Sequence, residues 1–575
     1  MPAAKLVIAR WIHPLVVGAV VVAMALAEIE VSAQETPQAT AATYTVQGVV
    51  LNKLTGEPVA RALVSAGSDA AFTDQAGHFI LKVAEGQVLI SVIRPGYGGV
   101  GNMGGQASKP HTVAVSANTP DQTFNLTPNA EITAHVTVAN GDDPSDFRFQ
   151  VYSRQIVDHR RKWIVSSIAT ADSEGAVRLA NLSAPASYLI CNIHKMDTSR
   201  MVAVGAVERG YVAACFPGGT DFGLATPLTL APGQKAEVDI SLIKKPFYPA
   251  SITVENIPQG PSPNLRIHDT DGRSFSARED RDEATGIRTV KMPNGRYYAT
   301  SEVQQGKESW YGRVDFKVNG APVTGLSITL QRVRPITVKI HKDYTAPEIV
   351  IKDASGTPIK NTTGGMLRLS HAENTLEMDP GTVFRHVEGS SDEELFQTES
   401  SNVEPGRYWV YPRIELATGY ISEMTSGGRD LISEPLVVGA GGVAAPIEIT
   451  LRNDGGEIEV TVNKAGTSPA AISGSAEKPG YQIYAIPESS SAMASLSEQL
   501  TSPIAFYSGS GPFSLSNLAP GVYSVVAFDS PPEIDMHDAE LLARIAAKGK
   551  TVTVTAGGTA KVQVDVIPTA AEEAQ

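Results

Sequence analysis

HFILKVAEGQVLISVI, residues 78–93, is the stretch that decides the fold. Phe79, Leu81 and Val83 fall on one face of this segment, whereas a histidine and a lysine fall on the other. This alternation with a period of two is typical of a half-buried β-strand. The Ala-Glu-Gly turn and the second apolar run that follow it predict an adjoining strand. The stretch therefore predicts antiparallel β-structure.

The same phrase, a small apolar strand followed by a Pro/Gly turn and another strand, recurs four more times. It begins again at Leu179, Val290, Val403 and Leu515. A second phrase closes each unit with a leucine, and the leucines are 116, 88 and 121 residues apart: Leu126, Leu242, Leu330 and Leu451. Repeats of this length, made of many short strands, are typical of β-sandwiches.

We therefore predict an all-β chain, a tandem array of about five immunoglobulin-like or transthyretin-like antiparallel β-sandwich modules after a signal peptide. Asp538 is a typical helix N-cap and Gly549 a typical helix end, so one helix is predicted between them. A second helix is predicted at 491–500. The predicted modules span residues 44–127, 128–245, 246–332, 333–453 and 456–568, the last with a short helix near 538–548.

The composition agrees with a folded chain of several domains. Of the 575 residues, 42% are hydrophobic, which is too many for a disordered protein. The 51 glycines and 37 prolines supply the turns that many short strands need. The 61 acidic and 47 basic residues give a net charge of -14, which argues against a nucleic-acid partner.

The first 33 residues have the organisation of a secretory signal. Lys5 and Arg10 precede an apolar run at 15–27, which is shorter than the roughly 20 residues of a membrane-spanning helix. Small residues place the cleavage site after Ala33, with Ala27 as the second choice. We expect an exported chain, periplasmic or extracellular, with no transmembrane segment once mature. An uncleaved N-terminal anchor is the alternative.

Cys191 and Cys215, the two cysteines of the chain, both lie in segments that are predicted to be strands. In an oxidising compartment they are a candidate disulfide. Two buried free thiols are the first alternative. A metal site that includes His194 is the second, but residues three apart on a strand point to opposite faces. The sequence leaves these three options open.

The first module closely resembles the carboxypeptidase regulatory-like domain, a transthyretin-like sandwich. The resemblance covers residues 46–97 and rests on these positions: Gly56, Pro58, Thr73, Asp74, Gly77, Phe79, Gly86, Gly96 and Tyr97. The later modules share only the strand-and-turn phrase and look like relatives of the starch-binding-like or Cna-B-like folds. The resemblance implies an exported multi-domain bacterial protein, and a fold of this kind carries no function with it.

No catalytic constellation emerges from the motifs. The His-x-x-Glu pair of zinc carboxypeptidases occurs once, at His537 and Glu540, and no histidine follows it. Asp269 and Thr73 begin fragments that look like calcium loops, but the further oxygen ligands are missing, so ordinary turns are the preferred interpretation. We expect no enzyme activity, no metal and no cofactor.

Exposed aromatic rings are the remaining candidates for a ligand site. Trp310 and Tyr311 are adjacent on a predicted strand, so one of them should face outward, and they form a candidate platform for a sugar. Packing in the core is the competing interpretation for every aromatic residue. Tyr408 and Tyr523, each two residues after a Pro-Gly pair, have the position of a corner tyrosine that ties a loop to its sandwich.

We expect a non-enzymatic repeat protein for binding, adhesion or scaffolding at the cell surface or in the periplasm. Its partner would be a protein or a glycan, with no nucleic acid. The alternatives are a carbohydrate-binding protein for polysaccharide capture and, third, an auxiliary component of a secreted hydrolase. The sequence leaves open whether the modules form a straight rod or fold back on one another, and it leaves the oligomeric state open.

Overall fold

The computed structural model describes residues 42–98, 111–196, 207–345, 364–463, 480–488, 504–508 and 512–569, less short gaps at 140–141, 146, 158–159, 261, 276–278, 307, 374–375, 377–380, 388–389, 391–393, 400–402, 415–418, 530–531 and 533. The predicted signal at 1–33 and the predicted helix at 491–500 lie outside these residues. Within them strand is the main secondary structure and helix is rare, and the predicted tandem array of about five β-sandwiches is confirmed.

The first sandwich packs two four-stranded sheets, in the orders β4-β1-β8-β6 and β3-β2-β5-β7, around one apolar core. Phe79, Leu81 and Val83, which alternate along β4, are each buried in this core. The strands are β1 (Thr43–Asn52), β2 (Leu63–Ala66), β3 (Asp69–Phe72), β4 (His78–Ala84), β5 (Gly86–Ile93), β6 (Tyr97–Gly98), β7 (His111–Val115) and β8 (Gln122–Pro128).

The second and third sandwiches are joined by a shared sheet. Two short strands, β14 and β15, lie in the chain between β13 and β16 of the second sandwich, and β15 pairs with β18 of the third. The strands are β9 (Ala130–Thr137), β10 (Arg148–Val157), β11 (Arg160–Thr170), β12 (Ala176–Leu182), β13 (Ala186–Asn192), β14 (Lys195–Met196), β15 (Arg209–Tyr211), β16 (Leu228–Leu230), β17 (Lys235–Ser241), β18 (Lys244–Glu255), β19 (Arg266–Asp269), β20 (Glu279–Arg281), β21 (Arg288–Pro293), β22 (Gly295–Gln305), β23 (Glu308–Val318), β24 (Val323–Thr329) and β25 (Gln331–Val333). A single 3-10 turn, Phe222–Leu224, precedes β16.

The fourth sandwich is one nine-stranded sheet that encloses a single core. The fifth is a seven-stranded sheet with the helix α1 beside it. The elements are β26 (Thr337–Lys342), β27 (Gly364–His371), β28 (Gly381–His386), β29 (Leu395–Thr398), β30 (Gly406–Ile414), β31 (Tyr420–Ser426), β32 (Arg429–Asp430), β33 (Leu436–Val438), β34 (Ile447–Arg452), β35 (Gly456–Asn463), β36 (Gly480–Pro487), β37 (Ile504–Ser508), β38 (Phe513–Leu518), β39 (Gly521–Phe528), α1 (Ala539–Ala546), β40 (Lys550–Val554) and β41 (Thr559–Ile567). The Asp538 side chain caps α1 by accepting the N–H of Leu541.

All five sandwiches share one pattern of strand pairing. The opening strand pairs antiparallel with an internal strand and parallel with the closing strand, as in β1 with β4 and β8. The parallel pairs are β1–β8, β9–β17, β18–β24, β26–β34 and β35–β41. The sequence predicts only antiparallel sheets. A parallel pair needs a long crossover, and the rest of each sandwich supplies it.

The parallel pairing determines how the chain passes through each sandwich. Because the first and last strands run in the same direction, the chain enters at one end of a sandwich and leaves at the other. Successive sandwiches therefore follow one another end to end. Such a chain path is expected in a tandem array with short junctions.

One tight turn recurs at the same place in the first two sandwiches. Oδ1 of Asp74 and Oδ1 of Asp172 each accept the backbone N–H groups two and four residues later, at 2.9 and 2.8 Å. Gly77 and Gly175 follow with φ of 76° and 80°, and a Cβ on either would lie 2.6 Å from a carbonyl oxygen of the opening strand. Only glycine fits both the left-handed backbone and the close approach.

The corner tyrosines are confirmed. The hydroxyl groups of Tyr408 and Tyr523 donate to the backbone carbonyl four residues earlier, at 2.8 and 2.7 Å, and both side chains are fully buried. Tyr297 makes the same bond in the third sandwich at 3.1 Å. Each bond ties the loop before the strand to the core of its own sandwich.

The array bends back on itself, so that the second sandwich meets the fourth and the fifth. Arg160, at the start of β11, donates to the carbonyl oxygens of His371 and Ala372 at 2.6 and 2.8 Å. Its Nε lies 4.0 Å from Oδ2 of Asp535, which also accepts the N–H of Arg161 at 3.1 Å. The end-to-end order of the sandwiches therefore follows a curve and not a straight rod.

Candidate functional site

A cleft of about 310 Å³ lies where the second and third sandwiches meet. The second sandwich contributes the end of β13 and the loop after β15, and the third contributes the turn after β19 and the turn between β21 and β22. Its volume is at the small end of the range of about 300–1,000 Å³ that is usual for ligand pockets. The cleft is thus the size of a small-molecule site.

One of the two cysteines, Cys191, lines this cleft. The structure joins Cys191 and Cys215 in a disulfide with an S–S distance of 2.01 Å. Both are buried, in a small apolar cluster with Tyr152, Leu189 and Phe222. In this bonded state neither sulfur is a thiolate that could hold a metal.

Arg273 connects the two sandwiches at the cleft. Its Nε donates to Oδ2 of Asp269 at 2.7 Å, and its Nη2 donates to the carbonyl oxygen of Thr220 at 2.9 Å. The guanidinium also lies 5.6 Å from the centre of the Phe222 ring. Asp269 belongs to the third sandwich and the other two contacts to the second, so this one side chain braces the junction.

The fragment that begins at Asp269 and looks like part of a calcium loop is a turn, which is the interpretation preferred from the sequence. Oδ1 of Asp269 accepts the N–H groups of Asp271 and Arg273 at 3.0 and 2.9 Å, and Oδ2 binds the arginine side chain. These bonds occupy the carboxylate. Among the described residues, no three His, Cys, Asp or Glu side chains are grouped so that they could share a metal ion.

His194 lies beneath the cleft in an unusual environment. Its ring stacks on that of Phe275, with centroids 3.7 Å apart and an interplanar angle of 25°. Its Nε2 is buried and has no hydrogen-bond partner. Burial, helped by the positive charge of Arg273, lowers the pKa of His194 to about 4. The imidazole is therefore neutral at neutral pH.

Asp271 is a partly exposed carboxylate of the cleft. Burial raises its pKa, and the negative charge of Asp269 raises it further. The N–H of Phe222 approaches its Oδ2 at 3.4 Å, and Nη2 of Arg273 lies 4.0 Å away. About a third of the side chain, 34%, stays exposed, so this carboxyl group faces the cleft and can accept further hydrogen bonds.

Aromatic rings and long basic side chains complete the site. The rings of Phe275 and Tyr297 meet edge to face, with centroids 5.8 Å apart. Burial raises the pKa of Tyr297, so its hydroxyl stays protonated and bonded to its loop. Lys245 and Arg296 are exposed and line the rim. This arrangement can bind a ligand by hydrogen bonds and ring contacts.

The predicted aromatic platform is placed elsewhere, on β23. Tyr311 is buried, with 6% of its surface exposed, and its hydroxyl donates to Glu404 of the fourth sandwich at 3.3 Å. Trp310 is half-buried and packs against the third core. Tyr311 therefore offers no open ring, because it fills the junction with the next sandwich. A role for Trp310 alone stays a prediction.

The His-x-x-Glu pair lies in the bend of the array. The ring of His537 stacks on Trp409, with centroids 3.9 Å apart and an angle of 22°, and its Nε2 is hydrogen-bonded to the Tyr411 hydroxyl. Glu540 is exposed in the first turn of α1. His537 is thus a contact between the fifth and fourth sandwiches.

Sequence reasoning missed the cleft and its central residue, Arg273. The turn that begins at Asp269 was visible as a pattern, and so were the cysteines and His194. Their convergence was not, because residues 191–221 and 269–297 belong to different sandwiches.

No helix among the described residues has the length and apolar character needed to cross a membrane.

Comparison with known proteins returns solved structures at very low identity. No family model matches the sequence, and no curated protein matches it. The Bacillus anthracis TIE protein is 10% identical, with 72% of this chain and 68% of that chain covered and a TM-score of 0.14. The Streptococcal ancillary pilin is 11% identical, with 50% of this chain and 99% of that chain covered and a TM-score of 0.18.

A putative adhesin from Bacteroides ovatus is 8% identical, with 36% of this chain and 93% of that chain covered and a TM-score of 0.15. With TM-scores this low, these likenesses carry no argument about the fold or the function of this chain. The resemblance of the first module to the carboxypeptidase regulatory-like domain stays a prediction.

Proposed function

We propose that this chain is a non-enzymatic binding protein, exported to the cell surface or the periplasm, that serves adhesion or scaffolding. The observation that carries the proposal is the polar cleft between the second and third sandwiches. Its walls are formed by strand ends, turns and a loop of two sandwiches, and Arg273 braces these two sandwiches against each other. A site held in shape before the ligand arrives loses less entropy on binding.

The junction around the cleft is braced in several independent ways. Strand β15 pairs with β18 across it, and Nη2 of Arg209 donates to the Lys244 carbonyl at 3.0 Å. Lys291 and Glu208 form an ion pair between the two sandwiches. Arg273 makes the internal brace. These contacts support a cleft that keeps its form, as a binding site in a scaffold requires.

Export is part of the proposal. It rests on the signal predicted at 1–33, and the Cys191–Cys215 disulfide agrees with it, since such bonds persist in oxidising compartments. N-terminal sequencing of the chain recovered from its native host tests this. A mature terminus at Gln34, or at Glu28 by the second cleavage site, supports export. A chain that begins at Met1 in the soluble cell extract contradicts it.

The binding function is tested by co-sedimentation of the exported chain with cell-envelope material and with insoluble polysaccharides. We expect saturable binding and recovery of the bound polymer at unchanged length, as judged by mass spectrometry. Release of shortened products would show an enzyme. Absence of saturable binding to every fraction would refute the binding function.

Polysaccharide capture is the second candidate, and the half-buried Trp310 is the observation that favours it. The same sedimentation with Trp310→Ala decides whether that ring takes part. A loss of binding to one polysaccharide supports capture through Trp310. Unchanged binding assigns the contact to another part of the chain.

A further inference from the structure

We infer that the cleft between the second and third sandwiches binds the end of an uncharged saccharide. Asp271 and Arg296 would hydrogen-bond its hydroxyl groups, and the rings of Phe275 and Tyr297 would lie against its apolar face. This inference rests on the proposed binding function and adds a ligand class and a place. Three features of the cleft support it.

The first feature is the balance of charge. Three carboxylates line the cleft, at Asp221, Asp269 and Asp271, and three cations face them, at Lys245, Arg273 and Arg296. His194 adds no charge at neutral pH, because its pKa is lowered to about 4. A strongly acidic or basic ligand would therefore meet as much repulsion as attraction. An uncharged ligand meets no such opposition.

The second feature is the mixture of hydrogen-bonding groups at the open side. Asp271 presents acceptor oxygens, Arg296 presents donors, and the exposed Ser274 hydroxyl can do either. The inner pair of Asp269 and Arg273 is occupied and holds the turn in place. Paired donors and acceptors suit a ligand rich in hydroxyl groups, since each hydroxyl donates one bond and accepts others.

The third feature is the apolar floor between these polar walls. Phe275 and Tyr297 are 9% and 8% exposed, so only parts of their rings reach the cleft. One face of the Phe275 ring stacks on the His194 ring. A sugar ring has a C–H face and a rim of hydroxyl groups, which matches an aromatic floor with polar sides. The small volume restricts the occupant to the end of a chain or a short oligosaccharide.

The test is isothermal titration of the full chain with disaccharides that differ in charge. N,N'-diacetylchitobiose, cellobiose and maltose are the neutral probes. Chitobiose, which is the cationic form of the first, and digalacturonate supply the charged arms. The cleft variant is Asp271→Asn with Arg296→Gln. Its matched control is Asp239→Asn with Arg178→Gln, which makes the same two changes at exposed positions of the β12-β9-β17 sheet.

We expect at least one neutral probe to bind, and to bind at least about tenfold more weakly in the cleft variant than in the control variant. Chitobiose and digalacturonate should both bind less well than that neutral probe. If the cleft variant binds the neutral probe as well as the control variant does, the saccharide site is not in this cleft. That result would not contradict the proposed binding function. Preference for a charged probe would overturn the ligand class. Failure of every probe to bind would overturn this inference, while envelope binding in the sedimentation assay would still support the proposed function.

Discussion

Removal of the disulfide should loosen the second sandwich and leave the first unchanged. The bond joins residues 24 positions apart, Cys191 and Cys215. Cross-linking such a loop lowers the entropy of the unfolded chain and stabilises the fold by about 3.4 kcal/mol. Replacing both cysteines by alanine should cost about that much, because both side chains are buried and neither leaves an unpaired polar group.

Hydrogen exchange with mass spectrometry can locate the loss within the full chain. Under conditions in which exchange reports the opening equilibrium, about 3.4 kcal/mol corresponds to exchange about 300-fold faster. Peptides from β10 and β13 should show this change. Peptides from β1 and β4, in a different sandwich, should exchange at their original rate and serve as the internal control.

Two results would refute the reasoning. Two reactive thiols in denatured, unreduced protein would show that the bond does not form. Unchanged exchange in β10 and β13 of the double variant would show that the cross-link does not stabilise this sandwich. Reduced wild-type protein should match the variant; if only the variant is destabilised, the cause is packing and not the cross-link.

Three further predictions concern single groups. The pKa of His194 in the folded chain is about 4, below its ordinary value of 6.5. The free energy of unfolding should therefore be constant above about pH 6.5 and fall by up to about 3 kcal/mol as the pH drops from there to about 4. Thermal unfolding of His194→Gln should lack this pH-dependent loss. Tyr523→Phe removes a buried hydrogen bond of 2.7 Å and should cost about 1–2 kcal/mol in urea unfolding, whereas an unchanged midpoint would contradict the role of the corner. Gly77→Ala should destabilise the first sandwich by about 2 kcal/mol or more, and by more than Gly67→Ala, because Gly67 has a similar φ of 62° but no atom within 4 Å of the new Cβ; equal losses would rule out the clash.

Much of the fold could be predicted because it depends on neighbours in the chain. The alternation around Phe79 predicts a strand with one buried face, and the structure has that strand. The position of Tyr523 after Pro-Gly predicts its hydrogen bond, and Asp538 predicts the start of a helix. In each case the partner lies within a few residues, so the local sequence contains both halves of the interaction.

The candidate site could not be predicted in the same way. Arg273 is surrounded in sequence by an ordinary turn, and only the approach of Thr220 gives its guanidinium a second partner. The burial of Tyr311 on β23 could not be predicted for a related reason. Alternation predicts that one of the two rings points away from its own core, but it does not show that Glu404 of another sandwich meets Tyr311 there.

The sequence by itself determined the class of structure, tandem all-β sandwiches, together with the turns, the corner tyrosines and the Asp538 helix cap, which depend on bonds between near neighbours. Only the tertiary structure decided the parallel pairing of first and last strands, the bend that brings Arg160 to Asp535, and the cleft between the second and third sandwiches. The physical reason is distance along the chain. Contacts between surfaces of separate modules depend on the angle at each short junction, and that angle results from packing between residues that no local pattern connects.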